Sequence, residues 1–183
     1  MNFRLSNTIG AIVGSLCASL LLVAWIGSQK AQQVLIIGAS GGVGTFAVQI
    51  AKALGAEVTG VCSTEKVDFV RSLGADHVID YKLVDASATG ERYDWILDVE
   101  ARQSIFRWRG ALRPKGVYVT LGGSARRILQ AMMVGPAIRL ADGKRMGLML
   151  WWKPMHRPDI ETLTELILAG KLKPIIDRRY PLD

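Results

Sequence analysis

Histidine and cysteine are scarce, two of each in 183 residues. Cys17 and Cys62 cannot build a disulfide framework and lack the spacing of metal ligands. The sequence therefore asks for neither an oxidising compartment nor a structural zinc. His77 and His156 fall on different predicted elements with no obvious acid partner. No Ser-His-Asp order of the hydrolase kind occurs, and no His/Cys metal cluster. Long runs of basic charge are missing too. The net charge is +7, but residues 1–100 hold 7 Lys and Arg against 10 Asp and Glu, while residues 101–183 hold 16 against 6. A basic half suits nucleic acid, an anionic membrane surface or a phosphorylated ligand. Without a Lys/Arg run, a zinc finger or an RNA-binding signature, no nucleic-acid partner is expected, and the excess reads as solvated surface. Hydrophobic residues make up 50% of the chain, which allows a real core and rules out a disordered protein. The length suits one domain with an appendage.

The appendage is residues 1–30. From Thr8 to Gly27 no residue is charged: TIGAIVGSLCASLLLVAWIG. At about 1.5 Å per residue, such a helix crosses a hydrocarbon core of roughly 30 Å. Trp25 lies near one end, where an aromatic belt would place it, and Gly10 and Gly14 form a G-x-x-x-G pair. Three readings stand: a transmembrane anchor, a cleaved signal peptide, or a fragmentary gene start. The length of the run and the lack of an A-x-A site speak against the signal peptide. Arg4 before the run and Lys30 after it leave orientation open.

Residues 31–183 read differently. Gln33–Gly38, QVLIIG, is a continuous apolar run that suits a strand buried on both faces of a parallel sheet. The turn Ala39-Ser40-Gly41-Gly42-Val43-Gly44 follows at once. Phe46, Val48, Ile50, Ala51 and Leu54 then keep helical spacing, with Gly55 in the C-cap place. Glu57–Cys62 is strand-like again. Strand, glycine turn, helix, strand is the setting in which a glycine motif means dinucleotide binding. Gly41 lets backbone approach a pyrophosphate, Gly44 lets the helix pack tightly, and the helix N-terminus offers free N–H groups to phosphate. Ala39 replaces the first glycine of the usual G-x-G-x-x-G.

Further strands are predicted at 77–81, 93–99, 116–123 (preceded by a Pro114-Lys115-Gly116 turn) and 145–152. A last helix begins after Pro158 and stops at Gly170. This alternation predicts an α/β fold, a Rossmann-type doubly wound parallel sheet, with the N-terminal apolar helix beside it. No carboxylate stands at Val61-Cys62-Ser63-Thr64, the tip of the second strand. A carboxylate there would hold a ribose 2′-OH and repel a 2′-phosphate, so its absence permits NADP(H).

The segments VLIIGASGGVGTFAVQIAKALGAEVTGVCST, VRSLGADHVIDY, YDWILDV, LRPKGVYVTLGG and ELILAGKLKPIIDRRYPL resemble the cofactor domain of medium-chain dehydrogenases/reductases. The A-x-G-G-V-G form is similar to the zinc-independent quinone oxidoreductase branch. The resemblance covers residues 33–123 and 159–182, is loose over 124–158 and is absent from 1–30. It implies NADP(H) as cofactor, with the 2′-phosphate gripped by Ser63, Lys66 and Tyr81. It also implies cofactor contacts from Ser40, Gly41, Gly42, Val43, Gly44, Asp98, Val99, Leu121 and Gly122. Glu65 is the counter-indication, since it could take the ribose hydroxyls instead. A second departure is Glu100-Ala101, where the family commonly has Val-Gly beside the nicotinamide ribose.

The same resemblance implies an N-terminal β-rich domain carrying most of the substrate pocket. About 30 residues precede the first strand, so that domain is expected outside this chain, and no catalytic residue is assigned. The family's last helix and strand after the YPL segment are likewise expected to be missing. Two functions remain: a portion of an oxidoreductase that passes hydride to or from a quinone, enone or carbonyl, or a non-catalytic, membrane-anchored NADP(H)-binding module. The apolar stretch Ile128–Trp152 reads either as a buried helix and strand or as a surface covered by a second copy or by the separate catalytic domain. A domain that uses cellular NADPH would face the cytosol, and a plain cytoplasmic chain is the alternative. If residues 8–27 span a bilayer, the full chain is expected to pellet with membranes and resist carbonate, while a chain starting at Lys30 is not. A full-length chain in the soluble fraction rules out the anchor.

Overall fold

The interior of β1 (Gln33–Ile37) is wholly inaccessible at Val34, Leu35 and Ile36. Alternate residues of a strand point to opposite faces, so apolar side chains on both parities require cover on both sides. The structure is a computed structural model that describes residues 32–148 and 157–176. Val34 and Ile36 join one core with Ala47, Val48 and Ala51 of α1 (Gly42–Ala53) and Val70 of α2 (Val67–Ser72). Leu35 joins the other, with Ile105 and Trp108 of α3 (Ile105–Ala111) and Ile138 of α4 (Ala125–Asp142).

The remaining strands are β2 (Glu57–Cys62), β3 (His77–Asp80), β4 (Tyr93–Asp98), β5 (Leu112–Thr120) and β6 (Arg145–Leu148). All pairings are parallel, in the order β3-β2-β1-β4-β5-β6. The order reverses at β1, whose neighbours are β2 and β4. That is where an open α/β sheet forms its ligand crevice. This is the predicted Rossmann-type doubly wound sheet, among the described residues.

Several boundaries move. Helix α1 starts at Gly42, so Gly42, Val43 and Gly44 form its first turn rather than the loop before it. Gly55, at φ +84°, ends this helix as expected. β5 begins at Leu112 and ends at Thr120, not at 116–123. Its pairing jumps from Tyr93↔Leu112 to Trp95↔Val117. The predicted Pro114-Lys115-Gly116 turn survives as the bulge that absorbs this jump, with Lys115 at φ +63°. The described portion of β6 stops at Leu148, and residues 149–152 of the predicted strand lie outside the described residues. So does the predicted apolar helix at residues 8–27. Among the described residues no helix is long and apolar enough to cross a membrane.

The final described helix, α5 (Arg157–Leu168), places Leu163 and Leu166 over Phe46 and Ile50 on the outer side of α1, with Leu172 completing the cluster. The backbone N–H of Lys173 donates to Gln49 Oε1 at 2.8 Å, and Gln49 Nε2 donates back to the Lys173 carbonyl at 3.1 Å. On the opposite face, only Ala131, Gly135 and Ile138 of α4 are buried. Leu129, Met132, Met133 and Leu140 are exposed, so the wholly buried reading of this helix does not hold.

Gly135 sets how closely α4 approaches β6. A Cβ there would lie 1.9 Å from the Met146 carbonyl oxygen. Alanine exceeds glycine in helix propensity by about 1 kcal/mol, but the backbone clash outweighs that gain. Gly135→Ala is expected to cost roughly 1–3 kcal/mol, a Tm loss of several degrees in a thermal melt. Gly110→Ala on α3, where nothing lies within 4 Å, is expected to raise stability by about 0.5 kcal/mol.

Candidate functional site

The turn after β1 is tied down before it reaches any ligand. Gly38, at φ +82°, and Ala39 both donate their N–H groups to the Val61 carbonyl, at 3.1 and 3.0 Å. Gly41 N–H donates to the Gly38 carbonyl at 3.0 Å and, as N-cap of α1, Gly41 accepts from Thr45 N–H at 2.9 Å. No side chain caps this helix, and its first turn holds no acidic residue. Its first-turn N–H groups therefore meet no side-chain acceptor, and its positive dipole end stands next to Ser40 and Gly41, which line the crevice. A Cβ on Gly44 would sit 2.1 Å from the Gly38 carbonyl oxygen, so only glycine allows this contact. Gly41 is different: its Cβ would meet only Gly38 O, at 3.4 Å, and would project into open space.

Ala39 also finds a structural reason. It is fully buried, and a Cβ on Gly60 would meet Ala39 Cβ at 3.1 Å and Val70 Cγ1 at 2.6 Å. The methyl that replaces the motif's first glycine is accommodated by a glycine on the next strand.

A cavity of about 520 Å³ opens at the carboxyl ends of β1, β2, β3 and β4. Of the expected cofactor residues, Ser40, Gly41, Ser63, Tyr81, Asp98 and Val99 line it. Gly42, Val43 and Gly44 lie in the helix turn beside it. Leu121 and Gly122 are outside the lining. Leu121 N–H donates to the Asp98 carbonyl at 3.0 Å, and the Gly122 carbonyl accepts from the Thr120 hydroxyl at 2.8 Å. Lys66 is outside it as well: exposed, with Nζ 5.7 Å from the centroid of the Phe69 ring.

Lys82 and Trp108 are among the lining residues that spacing did not single out. Lys82 follows Tyr81 at the rim, and its Nζ lies 2.6 Å from Glu65 Oε1. Trp108 reaches the cavity from α3. Position next to the predicted tyrosine was the available signal for Lys82. Trp108 carried none, because it is equally a core residue.

Asp98 is almost wholly buried. Its carboxylate accepts the Ala101 N–H at 2.7 Å, the Glu100 N–H at 3.2 Å and the Tyr118 hydroxyl at 2.8 Å. Burial pushes its pKa up, and these hydrogen bonds oppose that rise. Burial, then the Asp98 charge, pushes the Tyr118 hydroxyl far above its ordinary range, so it remains a donor. Asp98 thus shapes the loop that follows β4, including Ala101 at φ +43°. Glu100 lines the cavity but is ion-paired with Arg102, which offsets the charge this departure brings. Burial, with Asp80 adding to it, raises the Cys62 thiol, making it a poor nucleophile.

Comparison with known proteins gives consistent matches. A family model described as Zinc-binding dehydrogenase matches residues 73–183. NAD(P)H oxidoreductase RTN4IP1, mitochondrial, of Bos taurus is 36% identical over 174 residues, covering 83% of this chain and 42% of that protein. The chloroplast envelope quinone oxidoreductase homolog of Arabidopsis thaliana is 32% identical over 163 residues, 86% of this chain and 47% of that one. The solved quinone oxidoreductase from Coxiella burnetii superposes with a TM-score of 0.67, covering 88% of this chain and 49% of that chain. Its 23% identity speaks for the fold alone. The chain spans less than half the length of these relatives. The zinc of the family description finds no fit here: among the described residues no three His, Cys, Asp or Glu side chains gather as ligands would.

The glycine turn provides a test that separates ligand contact from folding. Gly41→Val is expected to stay folded, with a melting temperature close to that of the parent, and to lose NADPH binding in a fluorescence titration. Gly44→Val is expected to unfold the turn itself. Retained binding by folded Gly41→Val would make the turn purely structural.

Proposed function

The chain belongs to the zinc-binding dehydrogenase family, as a quinone oxidoreductase-like member of the medium-chain dehydrogenase/reductase superfamily, and on that premise we propose that it is the cofactor-holding portion of an NADP(H)-dependent oxidoreductase. The observation that carries the reading is the cavity at the sheet's switch point, bordered by an uncapped helix N-terminus and by a β2 tip without a carboxylate at Val61–Thr64. The cofactor would supply a hydride to a quinone, enone or carbonyl, which also takes up one proton. Ser40, Gly41 and the first turn of α1 would hold its pyrophosphate. Ser63, Tyr81 and, from outside, Lys66 would surround the 2′-phosphate. Val99, on the loop shaped by Asp98, and Leu121 and Gly122, after β5, would border the nicotinamide ribose. The substrate pocket is assigned to a separate domain or second copy, so no catalytic residue is named on this chain.

The uncharged run at residues 8–27 favours a second reading, a membrane-anchored NADP(H)-binding module without turnover. Titration and turnover distinguish the two. NADPH is expected to bind more tightly than NADH, and its absorbance at 340 nm to fall with a panel of quinones and enones when the chain acts together with the domain or second copy that supplies the substrate pocket. Tight NADPH binding with no oxidation across the panel would leave the module. Equal affinities would remove the NADP(H) assignment.

A further inference from the structure

The rim of the cavity carries an ion pair between the segments that follow β2 and β3. Lys82 Nζ and Glu65 Oε1 stand 2.6 Å apart, both at the surface, across 17 positions of sequence. Glu65 belongs to the 3-10 turn Thr64–Lys66, directly after Ser63, and Lys82 directly follows Tyr81. Ser63, Tyr81 and Lys82 all line the cavity. Lys66 does not, and its ammonium lies over Phe69. The Lys82 ammonium, the Glu65 backbone N–H and the Ser63 hydroxyl, in that order of effect, hold the Glu65 carboxyl at about 2. Glu65 is therefore ionised throughout the physiological range and collects donors from both strand tips.

Those donors suit a phosphate as well as a carboxylate, because each binds through anionic oxygens that accept charge-assisted hydrogen bonds. We propose that Lys82 is the cation that selects a 2′-phosphate, and that Glu65 holds Lys82 ready as an internal substitute for that phosphate. This rests on the NADP(H) reading above. A nucleotide with the 2′-phosphate displaces Glu65 and takes Lys82. A nucleotide with a free 2′-hydroxyl leaves the ion pair in place. Glu65 therefore acts as a threshold: it weakens NADPH binding by competing for Lys82, and it keeps Lys82 from being an open anion site.

The test is calorimetric titration of the full chain with NADPH and with NADH, for the parent and for Lys82→Ala, Lys82→Arg, Glu65→Gln and Lys66→Ala. Circular dichroism checks each fold. Lys82→Ala is expected to raise the Kd for NADPH about tenfold, the scale of one charge-assisted hydrogen bond, with NADH changed by less than about twofold. Lys82→Arg is expected to restore most of the difference. Glu65→Gln is expected to tighten NADPH several-fold without tightening NADH, and Lys66→Ala to do less than Lys82→Ala. The proposal is overturned if Lys82→Ala weakens both nucleotides equally or neither, or if Lys66→Ala carries the loss instead. If the parent binds neither nucleotide, the NADP(H) reading itself falls and this inference falls with it.

Discussion

The contact between Gly44 and the turn after β1 governs what the crevice can hold. A Cβ 2.1 Å from the Gly38 carbonyl oxygen is not possible, so the absence of a side chain brings α1 down onto the strand end. That contact aims the uncapped N-terminus of α1 at the switch point between β1 and β4. It also leaves Gly41 at the cavity with only the Gly38 carbonyl near its missing side chain. On the neighbouring strand, Gly60 has the matching role, making room for Ala39 and Val70. The usual glycine of the motif has in effect been redistributed: a methyl on the turn is balanced by a missing one on β2.

The glycine turn and the doubly wound sheet were legible in the sequence because their causes are local. Buried parallel strands need apolar residues on both parities, and β1 shows them in QVLII. The bulge in β5 was not legible as such. Pro114-Lys115-Gly116 carries turn chemistry, and only the pairing with β4 shows the strand running through it. The choice between Lys66 and Lys82 lay beyond spacing as well. Both follow a predicted strand tip by a few residues. Which ammonium faces the crevice depends on tertiary placement: Lys66, on the 3-10 turn, lies over Phe69, while Lys82, after β3, meets Glu65 of that turn. Asp98 lines the cavity at the expected place, and the hydrogen bonds of its carboxylate to its own loop and to Tyr118 carried no sequence signal.

Charge at the crevice is arranged in pairs rather than as a field. The second half of the chain is strongly basic, yet Arg102 answers Glu100, Arg107 answers Asp85, and Lys82 answers Glu65 around one opening. Surface pairs of this kind add little to stability, about 0–1 kcal/mol each, because water and salt screen them. Their weight lies in orientation. Arg107, on α3, ties that helix to the loop after β3 through Asp85. Arg109 does the same toward Asp142 at the end of α4. The rim is thus fixed by contacts that are individually weak and jointly directional.

The reciprocal amide contact between Gln49 and Lys173 has a consequence in time. It joins positions 124 residues apart, and the same meeting brings Leu163, Leu166 and Leu172 over Phe46 and Ile50. During synthesis at ~5–20 residues per second, α1 emerges on the order of ten seconds before that cover. Through that interval the inner side of α1 can settle on β1 and β2, while its outer side has no cover among the described residues. Birth of this sheet on the ribosome therefore includes an aggregation-prone interval, of the kind chaperones bridge, which closes only when the last described helix arrives.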